Sequence, residues 1–277
     1  MKPYDEIRKL KPAKFKRMTG ISMKNFEIIL QKVLGYLKDE ELSQPMRKRG
    51  IQSNMKVEDK ILLTLFYLRH YITFSTLGGV FNISESYANK IYHRFSDILI
   101  KVLKLPDRKV LLAPELDLVI IDVSEQPIER PIKGQREYYS GKKKQHTIKT
   151  QLIVHLFTLQ ILALCCQKGQ MHDFKIFKQN QPLIHPDLWV MTDLGYQGIV
   201  KVHPNSILPY KKSKNKPLTP EQKKYNRYLA SLRIRIEHVN RRCKIFRAVK
   251  ETYRGKHRNY SKTRALVAAL VNLRYAA

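Results

Sequence analysis

Three carboxylates and their neighbours hold the chemistry this sequence can do. The run Leu116-Asp117-Leu118-Val119-Ile120-Ile121-Asp122 reads as a strand buried on both faces that delivers Asp122 at its end, with Asp117 facing solvent at its start. Leu188-Trp189-Val190-Met191-Thr192 repeats the pattern and ends on Asp193, before the turn-forming Leu194-Gly195-Tyr196-Gln197-Gly198. Two strands can thus bring two aspartates to one sheet edge, where ligands bind in open α/β sheets. The third acid is Glu237, beside the core position Ile236 and flanked by Arg233, Arg235, Arg241 and Arg242. Only Glu221, Glu237 and Glu251 follow Asp193, and Glu221 is explained by the dipole of a helix first turn.

Glu237 has two readings. Arg233 and Arg241 lie four residues to either side and can form intrahelical ion pairs with it. Alternatively Asp122, Asp193 and Glu237 converge, and three carboxylates in one place repel one another unless divalent cations neutralise them. Hard oxygen ligands select Mg2+ or Mn2+, and two such ions activate a water or 3′-hydroxyl on one side of a phosphodiester while stabilising the leaving oxygen on the other. On a helical wheel Arg233 and Lys244 fall within about forty degrees of Glu237, so both can reach a phosphate backbone held there. Glu125 reads as a turn acid or an additional ligand. His172 and Asp173 read as accessory site residues or as a helix cap.

The elements that must position these residues follow from composition and pattern. The chain has 277 residues, 43% of them hydrophobic, with 53 Lys and Arg against 23 acids and a formal charge of +30. That length supports two domains, and so large a surplus of positive charge in a folded chain fits a polyanionic partner, nucleic acid first. No apolar run approaches membrane-spanning length and the start lacks a signal-peptide core, so the expectation is a soluble intracellular protein. Cys165, Cys166 and Cys243 form no CxxC and read as buried, reduced thiols; GxxxxGK[ST] and GxGxxG are absent.

The first 110 residues read as helical. After a linker at 44–54, a helix from Val57 carries a broad apolar stripe, a short helix spans Phe74 to Phe81, and Ser84 or Ser86 caps a third helix exposing Asn89, Lys90, His93 and Arg94. That is the pattern of a helix-turn-helix at about 57–96, and equally of an ordinary three-helix packing unit. A boundary near residue 110 follows. Arg136 to Lys144 reads as a hairpin arm tipped by Lys142, Lys143 and Lys144, either a solvated turn or a phosphate clamp with Tyr138 or Tyr139 available for stacking. Paired strands at about 147–157 and 159–166 come next. A basic loop at Lys211–Lys216 precedes a long helix opened by Thr219, Pro220 and Gln222, and a last helix from about Ser261 packs Leu266, Leu270 and Leu273 back on the 111–277 domain.

From Leu116 to Ala276 the chain resembles the catalytic domain of bacterial insertion-sequence DDE transposases, in the branch related to Harbinger elements. The likeness lies in Ile121 to Glu125, Arg136 to His146, His172-Asp173-Phe174, Thr192 to Gly198, and the Arg233, Glu237 and Lys244 spacing. The resemblance implies a ribonuclease-H-like α/β fold, a mixed sheet flanked by helices, preceded by an all-α helix-turn-helix domain. It implies Asp122, Asp193 and Glu237 as the catalytic and metal-binding triad with two Mg2+ or Mn2+ ions. It also implies double-stranded DNA as partner (transposon ends and target), a homodimer or larger assembly when two ends are synapsed, and a cytoplasmic, nucleoid-associated location. An inactive or domesticated DNA-binding relative is the alternative.

Overall fold

The computed structural model describes residues 4–43, 55–180, 184–213 and 217–274. The linker expected at 44–54 and residues 214–216 of the basic loop lie outside them. The chain forms two compact units. One holds the N-terminal segment to Lys104 together with Lys244–Glu251 and the segment from Lys262; the other holds Leu105–Cys243 and Thr252–Ser261.

The first unit is helical, with α1 (Tyr4–Ile7), α2 (Pro12–Thr19), α3 (Met23–Ser43), α4 (Val57–His70), α5 (Phe74–Phe81) and α6 (Glu85–Val102). Helix α4 lies at its centre because Ile61, Leu62, Leu63, Leu65 and Leu68 are apolar around most of the helix and all fully buried. The α5–α6 turn is written in local chemistry. Thr73 caps α5 by accepting from the Thr76 amide (3.2 Å), Asn82 ends it at φ 52°, and Ser84 caps α6 by accepting from the Tyr87 amide (3.2 Å). The Ile83 amide closes the turn on the Gly78 carbonyl (2.9 Å), and a Cβ on Gly78 would stand 2.6 Å from the Ile83 carbonyl oxygen, so only glycine fits there.

The last helix, expected on the 111–277 domain, belongs instead to this helical unit over most of its length. Its run Leu266 to Val271 is buried all round, and Lys262 pairs with Asp97 (2.8 Å) while Arg264 donates to the Val249 carbonyl (3.4 Å).

The second unit is built on a mixed six-stranded sheet: β1 (Leu118–Pro127), β2 (Tyr139–Ser140), β3 (Gln145–His155), β4 (Ile161–Lys168), β5 (Trp189–Met191) and β6 (Ser206–Ile207). The strand order is β2-β3-β1-β5-β6, with β4 also pairing β3. β1 runs antiparallel to β3 over Val119 to Pro127 and parallel to β5 over Leu118 to Ile120. The strand does not stop at Asp122 as expected; it continues five residues further because β3 supplies partners to Pro127. What ends near Asp122 is β5; at the far end of β1 the same edge is taken up by Tyr253, whose amide donates to the Pro127 carbonyl (2.8 Å).

Alternate side chains divide between the faces. Val119, Ile121, Ile153 and Val190 pack with Phe177 of α8 (Asp173–Asn180) and with Tyr196. Helix α9 (Pro220–Cys243) meets β1 and buries Ile236 and Val239. It opens with the expected reciprocal cap: Thr219 Oγ1 accepts from the Gln222 amide (3.2 Å) and Gln222 Oε1 from the Thr219 amide (3.1 Å). One further helical turn, α7 (Gln135–Tyr138), precedes β2, and α10 (Tyr260–Asn272) closes the chain.

Candidate active site

Asp122 leaves β1 just past the end of β5, and Asp193 stands in the turn after β5, where its Oδ1 accepts from the Gly195 amide (2.8 Å). Between them comes a cation from α9. Arg233 Nη2 lies 3.9 Å from Asp122 Oδ1 and 4.0 Å from Asp193 Oδ2. Its Nε is buried and has no hydrogen-bond partner among the described residues. Two turns further along the same helix face, Asn240 Nδ2 donates to Asp122 Oδ2 at 2.8 Å. Burial pushes the Asp122 carboxyl up to about 6; the Arg233 guanidinium works against that, and the charges of Asp193 and Asp173 add to it.

Glu237, one turn after Arg233, is exposed. Among the described residues it has no ion-pair partner within 4.0 Å, and no group of three His, Cys, Asp or Glu is arranged to hold a metal. Of the two readings of Glu237, the intrahelical pairing with Arg233 and Arg241 is not formed; Arg233 lies by the two aspartates instead.

A second network borders the first. Glu125 is not a turn acid but a β1 residue directly opposite Lys149 of β3. Lys149 is almost fully buried; its Nζ donates to Asp173 Oδ1 (2.8 Å) and the Met171 carbonyl (2.7 Å) and lies 3.8 Å from Glu125 Oε1. Thr147 Oγ1 donates to Glu125 Oε2 (3.0 Å). Asp173 reaches the Asp193 turn, since a Cβ built on Gly195 would meet Asp193 Oδ1 at 2.9 Å and Asp173 Oδ2 at 3.4 Å. His172 is exposed, and its carbonyl begins α8 by accepting from Lys175 and Ile176, so it serves the helix start. Four acids thus gather around two cations, Arg233 for one pair and Lys149 for the other.

Lys149 and Asn240 were not singled out in the sequence. A signal existed for each: Lys149 is a charge inside the otherwise buried strand Thr147 to Val154, and Asn240 lies beside Val239 on the apolar stripe of α9. The remaining candidates make none of these contacts. Lys142, Lys143 and Lys144 are exposed at the β2–β3 tip, and Lys244 is exposed just after α9. On α6, Lys90, His93 and Arg94 are exposed and Asn89 half-buried; Arg94 lies 3.6 Å from Glu40. Cys243 is buried, whereas Cys165 and Cys166 are half-buried, all three as free thiols.

Paired aspartates on a mixed sheet, an arginine-rich helix against them and a capped helix-turn-helix together define a nucleic-acid-processing class. Comparison with known proteins makes the assignment specific: residues 121–272 match the DDE superfamily endonuclease family and residues 53–105 match the helix-turn-helix of that superfamily, and the chain belongs to this family. It is also 40% identical, over 276 residues and 98% of both chains, to the probable transposase for insertion sequence element IS702 of Microchaete diplosiphon. None of the described helices is long and apolar enough to cross a membrane.

Proposed function

We propose that this protein is an insertion-sequence transposase that binds the terminal inverted repeats of its element and cleaves and transfers DNA strands in a reaction dependent on divalent metal. The observation that carries the reading is the approach of Asp122 on β1 and Asp193 in the turn after β5, 71 residues apart in number, to one guanidinium of the helix that also bears Glu237. The donor set suits a hard cation: all oxygen, partly buried, with an Asp122 carboxyl whose ionisation burial opposes. Asp122, Asp193 and Glu237 would hold Mg2+ or Mn2+, two ions on the resemblance to the family. When bound, such ions withdraw charge from the scissile phosphate and ease deprotonation of the attacking water or 3′-hydroxyl.

The residues of the chain do the rest. Asn240 ties down Asp122 Oδ2 and leaves Oδ1 on the Arg233 side. Arg233 offsets the charge of both carboxylates, and its guanidinium is the cation nearest to where a phosphate held at Asp122 and Asp193 would lie. Lys149 holds Asp173 and Glu125 so that their charges do not splay the Asp193 turn. On α6, Asn89, Lys90, His93 and Arg94 form the face offered to the major groove, and Lys142, Lys143, Lys144 and Lys244 contact the phosphate backbone. Synapsis of two ends implies a dimer or larger complex, working in the cytoplasm at the nucleoid.

The test is a strand-cleavage assay on duplexes carrying the ends of the element, with Mg2+, comparing the protein with Asp193→Ala; equal nicking by both refutes the proposal. The exposed, unpaired Glu237 favours one other reading, a relative that binds DNA without cutting it. Calorimetric Mn2+ titration separates the two, because a non-cleaving relative shows no binding that depends on Asp122 and Asp193.

A further inference from the structure

A cavity of about 330 Å3 opens on the sheet of the second unit, away from the aspartates. Its floor is Ile148 of β3 and Cys166 of β4; Thr150 Oγ1 sits beneath, 3.6 Å from Cys166 Sγ and 3.3 Å from the Tyr260 hydroxyl. One wall is an aromatic pair, Tyr138 against His257 with ring centroids 4.9 Å apart. Lys168 Nζ lies 5.6 Å from the Tyr138 centroid and pairs with Glu137, while Arg258 stands exposed at the mouth. Gln167 and Ser261 complete the lining, the side-chain amide of Gln167 being turned to the other face of the sheet, where it donates to Gln179 Oε1 (3.0 Å).

The register places this cavity relative to Asp122. Asp122 is paired with Leu152 and Leu152 with Leu164, while Gln126 is paired with Ile148 and Ile148 with Lys168. Every one of these positions is an even number of residues from the next along its strand, so Asp122, Ile148, Cys166 and Lys168 share one face of one sheet. Two strand spacings across and four residues along put Lys168 about 16 Å from Asp122. At about 3.4 Å per nucleotide of a duplex strand, that is some five nucleotides, and fewer for an extended strand.

We propose that the Tyr138–His257 cavity is a subsite for one unpaired base of the DNA strand being processed, up to about five nucleotides from the phosphate at Asp122. The tilted rings of Tyr138 and His257 offer an aromatic face on which any base can stack, and the Ser261 hydroxyl offers a hydrogen bond to its edge. Arg258 at the mouth takes the adjoining phosphate, and the exposed Lys142 to Lys144 tip belongs to the β2–β3 hairpin that begins one residue after Tyr138. The volume lies at the lower end of ordinary small-ligand pockets, enough for a base and part of its sugar. This subsite rests on the DNA-processing role proposed above, and it assigns the stacking task to Tyr138, whereas Tyr139 packs on His146.

The test uses the full chain and a single-stranded oligonucleotide of mixed sequence carrying 2-aminopurine, alongside the matching duplex, across a NaCl series. Tyr138→Ala and His257→Ala are expected to weaken single-strand binding at least about fivefold, the low end for loss of one stacked base, and to abolish the 2-aminopurine quench. Duplex affinity and the salt slope, which report phosphate contacts, should not change, and Tyr138→Phe should behave as the parent. With the unsubstituted protein, photocrosslinking of 5-iododeoxyuridine-containing single strands should label Tyr138 or His257. Unchanged single-strand binding in the alanine variants, or crosslinks only elsewhere, overturns the subsite. Because these readouts are binding and crosslinking, they stand or fall separately from the cleavage comparison with Asp193→Ala.

Discussion

Asp122→Asn should make the metal-free protein more stable at neutral pH while removing a carboxylate its proposed chemistry needs. Burial raises the Asp122 carboxyl from 3.8 to about 6, so ionising it in the folded state costs about 3 kcal/mol at 1.36 kcal/mol per pKa unit. Between those two values the folded protein binds the proton more tightly than the unfolded chain, so stability falls as pH rises through the window from about 4 to 6 and stays lower above it. Asparagine carries no charge to bury and keeps an oxygen for Asn240 Nδ2. The attraction of Arg233 is already contained in that figure, since the guanidinium works against burial in setting the value of about 6. The variant should therefore be about 3 kcal/mol more stable at pH 7.5 in EDTA, the gap closing as pH falls to 4. Urea denaturation followed by Trp189, the single tryptophan and a β5 residue of the same unit, measures it. A variant less stable at pH 7.5, or a gap that does not change with pH, refutes the reasoning.

Two further substitutions probe the groups that hold the acids. Asn240→Ala removes the charge-assisted bond to Asp122 Oδ2 and should lower cleavage roughly tenfold to a hundredfold, the scale on which supporting contacts to metal-site carboxylates act, with DNA affinity unchanged in an anisotropy titration. Lys149→Met strands Glu125 and Asp173 without their buried cation and should cost about 3–5 kcal/mol in urea denaturation, with a large part recovered in the double variant carrying Asp173→Asn; no recovery would mean that the pairing is not what Lys149 contributes.

How much of this was legible in the sequence depends on whether a residue's role is set by its own neighbours in the chain. The α5–α6 turn was readable because it is local: Thr73 and Ser84 accept from amides three residues on, and the Asn82 amide donates to the carbonyls of Gly78 and Gly79. The strands bearing Asp122 and Asp193 were readable because four apolar residues in a row need burial on two faces. The extent of β1 was not, since Ser124, Glu125 and Gln126 look like a turn until β3 places Thr150, Lys149 and Ile148 opposite them. The last helix likewise gives no sign in its own residues of which unit will surround it; Ala268, Ala269 and Val271 would be buried equally well in either.

The wheel position of Glu237 illustrates the same limit at the site. Spacing alone sets Arg233, Glu237 and Asn240 within one sector of α9, and so correctly marks that sector as the one turned to the aspartates. It cannot say which of the three side chains arrives. The longest, Arg233, spans both carboxylates, the amide of Asn240 takes the lone pair that remains on Asp122, and Glu237 keeps to solvent because a third negative charge beside a carboxyl already raised to about 6 would be repelled. On this argument the position of Glu237 is a consequence of charge, and it should respond to charge: a cation that neutralises Asp122 and Asp193 removes the reason for the glutamate to stay away and the reason for Arg233 to stay between them.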